Sequence, residues 1–284
     1  MDGYSRCWLL VNPASGSNDE RSLSLLQNAL VVHGIAAERV IRFPIDDLPS
    51  AAELDQAGIE LVVAFAGDGS VNALVNYLAG WSGSILILPG GTMNLLARRL
   101  HRDLDLDQIL ALVSKGGAVK RRIECVRCDA GTALAGLLVG PGTCWGEVRE
   151  SMRSGAITDV AAGAVEALRT TANGPPVKVP GFALARAEGY PLVELTPGEH
   201  GIQINGFYAE ETLEFAAQAW ATLRRRFREG PNDHLGVSGE LLLESSDGSP
   251  LPCLIDGEPA ECPARAKFVV APCEVNLLAT SHEQ

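Results

Sequence analysis

The sequence predicts a two-part α/β protein: an N-terminal open parallel sheet with flanking helices, then a C-terminal mainly antiparallel β domain. Three observations carry this. Short apolar runs alternate with amphipathic stretches through the first 120 or so residues. From about Arg122 the apolar segments follow one another through Gly and Pro turns, with few helical stretches between them. Three of the early apolar runs also end in loops rich in Gly, Ser, Thr and Asn, each leading into a helix.

Cys7 to Val11 (CWLLV) is an apolar run ending at Asn12-Pro13 and reads as a buried parallel strand. Leu23, Leu26 and Leu30 keep helical spacing between Asp19 and His33, with Gly34 as the stop. Arg39 to Phe43 reads as a second strand, and a weaker helix runs from Pro49 to near Gly58. Ile59 to Ala66 is almost wholly apolar, as a strand covered on both faces should be. After Gly67-Asp68-Gly69, the residues Val71, Leu74, Val75 and Leu78 fall at i, i+3, i+4, i+7 and start a helix at once. Ser84 to Leu88 is a further strand, followed by PGGTMN and a basic helix through Arg98 and Arg99. In the second part, IECVRC, ALAGLLVG, GELLLE and AKFVVAP read as strands. Two helical stretches, roughly 156–170 and 211–227, interrupt them. The domains expected are 1–122 and 123–271.

The bulk properties narrow the function classes. The chain has 284 residues, 46% hydrophobic and 20% charged, the composition of a globular rather than a disordered protein. A net charge of −12 argues against nucleic acid as a partner, since phosphate-backbone binding needs basic surface. Seven cysteines at irregular spacing do not form a disulfide framework, so a reduced, cytoplasmic setting is expected. The acidic Met1-Asp2-Gly3 opening and the short apolar stretch after Arg6 do not make a signal peptide, and no apolar run is long enough to span a bilayer. Cys125 and Cys128 form a lone CxxC on an apparent strand and read as structural. The five histidines have no metal spacing and read as surface or ordinary polar residues.

In an open α/β sheet, ligands bind beyond the carboxyl ends of the strands. The loops at three such ends are Asn12-Pro13-Ala14-Ser15-Gly16, Ala66-Gly67-Asp68-Gly69-Ser70-Val71-Asn72, and Pro89-Gly90-Gly91-Thr92-Met93-Asn94. Glycine lets backbone approach a ligand, and helix N-termini present N–H groups to anions. Any one loop is an ordinary turn; three on one edge point to a phosphate site. Neither GxxxxGK[ST] nor a post-strand GxGxxG is present. The set, together with the late Asp256-Gly257-Glu258, instead resembles the diacylglycerol kinase catalytic-domain family, which includes bacterial lipid kinases, sphingosine kinases and ceramide kinases. The matching motifs run from residue 12 to residue 259.

The resemblance implies an ATP-dependent kinase acting on a lipid hydroxyl of diacylglycerol, sphingoid-base or ceramide type. It places nucleotide in the cleft between the domains, and has the last strand, from about Pro272, return to complete the first domain with 272–284. Nucleotide would be held by Asn12, Pro13, Ser15, Gly16, Gly67, Asp68, Gly69, Ser70, Asn72, Gly90, Gly91, Thr92 and Asn94, with Asn12 and Ser15 on the adenosine side. Asp68 is the candidate for holding Mg²⁺. Asp256 is the candidate base for the lipid hydroxyl, with Glu258 assisting; the reverse assignment, Asp68 as base, stays open. The lipid substrate implies transient peripheral membrane contact. The aromatic and basic stretch 211–228, with Arg224, Arg225 and Arg226, could supply that contact or be a helix packed on the β domain.

The chain departs from the family pattern at several positions. The first Gly of GGDG is Ala66, the Thr is Ser70, and two carboxylates of the family are replaced by Ala73 and Leu95. The stretch that supplies acidic ligands to a structural Mg²⁺ in many bacterial relatives reads Pro197-Gly-Glu-His-Gly-Ile-Gln, so no structural metal is expected there. These losses keep alive a non-catalytic nucleotide- or lipid-binding relative. An NAD kinase is a third reading, against which the Asn-Pro-Ala-Ser-Gly loop and the Asp-Gly-Glu argue.

Overall fold

The computed structural model describes residues 4–13, 20–144, 174–208 and 232–280. Ser15 and Gly16, both helical stretches expected in the β domain and the 224–226 arginines lie outside these residues. The chain forms two compact units, 1–123 with 272–284, and 124–271.

Unit 1 is built on a six-stranded sheet. Its elements in chain order are β1 (Arg6–Val11), α1 (Glu20–Val32), β2 (Ala36–Arg42), α2 (Ala51–Gln56), β3 (Leu61–Ala66), α3 (Asp68–Tyr77), β4 (Ser84–Pro89), α4 (Leu95–His101), α5 (Leu106–Ser114) and β5 (Val119–Arg121). The strand order is β2-β1-β3-β4-β17-β5, where β17 (Asn276–Ala279) is the last strand of the chain. β1, β2, β3 and β4 are parallel, β17 joins β4 in parallel, and β5 closes the sheet antiparallel to β17. Every residue of β3 is buried, as the unbroken LVVAFA run requires. Leu9, Leu26, Leu30, Val63, Leu86, Ile109 and Leu278 share one core, so α1 and α5 cover one face of the sheet, to which the returning β17 contributes Leu278.

The order 2-1-3-4 is the feature that positions the site. From β1 the chain steps to one side for β2 and returns to the other side for β3. The carboxyl ends of β1 and β3 therefore meet at a switch point, where the loops diverge and leave a crevice.

One helix carries a signal that apolar periodicity alone passed over. α5 starts with a capping box: Gln108 N–H donates to Asp105 Oδ1 and Asp105 N–H to Gln108 Oε1, both at 2.9 Å. The same device starts α2, where Ser50 and Glu53 exchange bonds of 2.8 and 3.2 Å.

Unit 2 is a pair of sheets. Its strands are β6 (Glu124–Cys128), β7 (Gly131–Ala133), β8 (Leu137–Val139), β9 (Val177–Lys178), β10 (Leu192–Gly198), β11 (Gly201–Phe207), β12 (Asn232–Ser238), β13 (Glu240–Ser245), β14 (Leu251–Ile255), β15 (Glu258–Cys262) and β16 (Arg265–Pro272). One sheet has the order β12-β11-β10-β8-β14-β15, the other β7-β6-β16-β13-β9. The pairings β8–β10, β10–β11, β11–β12, β8–β14, β14–β15, β6–β7, β13–β16 and β9–β13 are antiparallel. Val126, Leu137, Val193, Leu195, Ile202, Leu243 and Phe268 alternate inward to make their common core. Fully buried Tyr190 adds an aromatic ring, and its hydroxyl donates to Asp233 Oδ2 at 2.9 Å. The mixed α/β architecture is the one the sequence predicts.

His101, read in the sequence as an ordinary polar residue, is 1% exposed at the end of α4. Its Nδ1 lies 2.9 Å from Thr280 Oγ1, and Thr280 N–H donates to the Leu100 carbonyl at 3.1 Å, so this turn fastens the C-terminal strand. Burial pushes the imidazole down from 6.5 to about 4, with the Ile87 carbonyl opposing in part. A base whose folded value is depressed contributes stability fully above its unfolded value near 6.5, and loses it as pH falls toward 4. A shift of this size corresponds to roughly 3 kcal/mol at the acid end. The melting temperature should fall between pH 6.5 and 4, and should fall less steeply in His101→Leu; equal slopes for the two proteins would remove His101 as the cause.

Candidate functional site

The site is assembled from the carboxyl ends of β1, β3 and β4, which lie side by side in the sheet. Asn12 directly follows β1, and its Nδ2 donates to Ser70 Oγ at 2.9 Å. This bond crosses the switch point and ties the end of β1 to the first turn of α3. It leaves the Ser70 hydroxyl proton to donate elsewhere. Ala66 closes β3 without a positive φ, so the alanine in place of the first glycine is accommodated.

The β3–α3 and β4–α4 loops touch through backbone. A Cβ on Gly91 would stand 2.6 Å from Gly67 Cα, and one on Gly90 would stand 2.5 Å from the Phe65 carbonyl carbon. Neither position admits a side chain without moving a strand end. Gly67 differs: its φ is −72°, which any residue adopts, and a Cβ there meets no protein atom within 4 Å. The glycine at 67 is therefore not required by the fold. What it preserves is open space against the backbone, at the start of a helix whose first-turn N–H groups are not capped by a side chain from Gly67.

Asp68 stands in the first turn of α3, half-buried, and its Oδ1 accepts the Leu96 N–H at 3.4 Å. It thus lies between the starts of α3 and α4. Asn94 takes a left-handed φ of 51° and folds its amide back on the loop, accepting from Gly91 N–H at 2.7 Å and donating to the Gly91 carbonyl at 2.9 Å. Asn94, expected at the phosphates, thus shapes the turn that presents Gly90 and Gly91. Thr92 is exposed at the loop tip. Asn72 receives the Asn76 amide on both its carbonyl and its Oδ1, at 3.0 and 2.8 Å, one helical turn on. The structure therefore brings Asn12, Gly67, Asp68, Ser70, Gly90, Gly91 and Asn94 together. Pro13 is exposed beside them and Gly69 lies within the first turn of α3.

Asp256 belongs to unit 2, where backbone N–H groups surround it. Asp256 and Gly257, with φ of 49° and 93°, form the two-residue turn of the β14–β15 hairpin. The carboxylate is 6% exposed and accepts three backbone N–H groups: Leu134 at 2.8 Å on Oδ2, and Ala135 and Gly136 at 2.8 and 3.0 Å on Oδ1. Its own N–H returns to the Gly136 carbonyl at 3.0 Å. Three successive N–H groups make an anion-binding concavity, and Asp256 fills it. The carboxylate that the sequence offers as the base thus also latches its hairpin turn to the 134–136 segment. Glu258 opens β15 and is exposed. Residues 197–203 form the β10–β11 hairpin. No group of three or more His, Cys, Asp or Glu placed to hold a metal is found among the described residues. Among these residues, too, no helix is long and apolar enough to cross a membrane.

Residues 6–126 match the diacylglycerol kinase catalytic domain family. A crystal structure of a diacylglycerol kinase from Bacillus anthracis superposes with a TM-score of 0.61 at 14% identity, over 97% of each chain. A second Bacillus anthracis structure, of a protein provisionally called a diacylglycerol kinase, gives 0.60 at 15% identity over 96% of each chain. No curated protein matches the sequence. Residues 6–126 thus match the diacylglycerol kinase catalytic domain family, and the whole chain shares its fold with these structures.

Proposed function

We propose that the protein is an ATP-dependent lipid kinase that transfers the γ-phosphoryl group to a lipid hydroxyl. The observation that carries this is the switch point itself: Gly67 keeps open space against the backbone there, while Asn12 holds Ser70 across the crevice. Phosphate oxygens need close N–H and O–H donors and little steric cover. The uncapped first turn of α3, the Ser70 hydroxyl and the glycine backbone at 90 and 91 supply these together.

Asp68 is the carboxylate that the three loops direct toward such a ligand. The donor set suits Mg²⁺ carried in with the nucleotide: one carboxylate, with phosphates and water completing the shell. Bound there, the metal would offset the charge that gathers on the transferred phosphoryl group. Asp68 would hold it with one oxygen. The other oxygen is the candidate acceptor for the proton of the attacking hydroxyl, and the Leu96 N–H at 3.4 Å from Oδ1 fixes the carboxylate between the two helix starts. With its oxygens bonded to the 134–136 turn, Asp256 acts as a positioning residue for its hairpin rather than as the base.

The direct test is purified protein with labelled ATP, offered a total lipid extract or NAD. Label in a lipid supports the proposal; label in NAD, or in neither, overturns it. Gly67→Ala tests the cradle, because the fold has room for the methyl group and the backbone tolerates it. Its melting temperature should match wild type while ATP affinity falls at least tenfold by calorimetry; unchanged affinity would return the loop to an ordinary turn.

Asp256→Asn separates latch from base. An amide cannot accept all three N–H groups, and hydrogen bonds to a buried charge contribute about 1.5–3 kcal/mol each. The variant should melt several degrees lower while its folded fraction keeps most of its turnover. A variant with wild-type melting and no turnover would make Asp256 the base after all.

A further inference from the structure

Unit 2 gathers three thiols that the phosphoryl-transfer chemistry does not use. Cys128 ends β6, Cys253 lies in the middle of β14 and Cys262 ends β15. Cys262 Sγ is 3.7 Å from Cys128 Sγ and 3.9 Å from Cys253 Sγ, so it touches both. Cys253 and Cys262 are 2% and 1% exposed, while Cys128 is half-buried and is the thiol a reagent reaches first. The sequence draws the eye to Cys125 and Cys128, yet these are three apart on one strand and face opposite ways. Cys125 instead donates to the Ala271 carbonyl at 2.9 Å. The pairing across the two sheets is invisible in the spacing.

We propose that Cys128 and Cys262 form a dithiol that closes to a disulfide between the two sheets when it meets a small-molecule disulfide, with Cys253 as the alternative partner of Cys262. The Cys128 thiolate attacks one sulfur of the reagent, forming a mixed disulfide and releasing one reagent thiol. The Cys262 thiolate then attacks the Cys128 sulfur, forming the protein disulfide and releasing the second reagent thiol. Two protein thiols lose two electrons and two protons, and the reagent disulfide gains them. A disulfide needs its sulfurs about 2.05 Å apart. The gap to close from 3.7 Å lies within reach of rotation about the Cα–Cβ bonds of two short side chains.

The cross-link has a mechanical consequence. β15 is an edge strand, hydrogen-bonded in its sheet only to β14. The β14–β15 hairpin is held to the 134–136 segment at its turn by Asp256, and its open end would be held to β6 by the disulfide. Cys128 and Cys262 resist ionisation. Contact with Cys262, then burial, raises Cys128. For Cys262, contact with Cys128 lowers the value, but contact with Cys253 and burial more than offset this and leave it at about 11. Because the thiolate is the attacking form, closure should quicken as pH rises.

The test incubates the folded full chain with oxidised glutathione at pH 7 and pH 9. Expected are the loss of two of the seven free thiols, a mass lower by two hydrogens, a peptide joining Cys128 to Cys262, and faster closure at pH 9. Cys253→Ser should keep this cross-link, Cys128→Ser should divert it to Cys253–Cys262, and Cys262→Ser should leave a mixed disulfide on Cys128 that does not resolve. A wild-type mixed disulfide that persists, or a cross-link that survives in Cys262→Ser, overturns the proposal. Should a serine variant fail to fold, the wild-type peptide map decides: a map without the Cys128–Cys262 link counts against it.

Discussion

The functional half of this molecule depends on two strand ends whose backbones come closer than any side chain permits. With Gly91 against Gly67 Cα and Gly90 against the end of β3, the loops after β3 and β4 form one surface rather than two. Several features follow from that contact. Asn94 must adopt a left-handed backbone and turn its amide onto Gly91 to end the loop. α4 then starts where Asp68 can receive its Leu96 N–H, which fixes a carboxylate between two helix starts.

Much of this was legible in the sequence, because the signals were local. An all-apolar LVVAFA run can only be a strand covered on both faces, and a glycine-rich turn after it can only lie at the strand's carboxyl end. α5 was equally local, since Asp105 and Gln108 stand three apart ahead of an apolar run, but apolar periodicity alone did not find it. Other features were not local. Asp256 reads as a hairpin residue on its own and as a catalytic carboxylate beside the other three motifs, and the three N–H groups that hold it come from residues more than a hundred positions earlier. His101 reads as polar, and only the return of β17 buries it. Cys262 meets Cys128 because two sheets stack, which no spacing expresses. Motifs report chemistry that one segment completes; long-range partners decide whether a motif's side chain is free to act.

Asn12 shows the same limit from the other side. The motif places it correctly at the end of β1 but does not say what it touches. In the fold its amide donates to Ser70 Oγ and so orients that hydroxyl across the switch point. Asn12, Asn94 and Asp256 are all motif residues, and each spends hydrogen bonds on shaping backbone or orienting a neighbour. Conspicuous polar residues in a site are often there to hold the groups that act.

The two carboxylates that this chain lacks gain meaning from the same geometry. Ala73 lies in α3 and Leu95 opens α4, both half-buried beside the loops that hold Asp68. Acidic residues there would repel nucleotide phosphates unless a metal stood between them, and would draw a metal in before the nucleotide arrived. On the proposed function, Asp68 would meet an incoming phosphate with the uncapped first turn of α3 close by, and less charge would have to be screened. That arrangement would favour a metal entering with the nucleotide over one resident in the empty protein. It would also concentrate on one residue the charge balance and the proton transfer that a larger acidic set could divide. Under that proposal, departure from the family pattern at these two positions would change the order in which ligands assemble, while the fold that receives them stays the same.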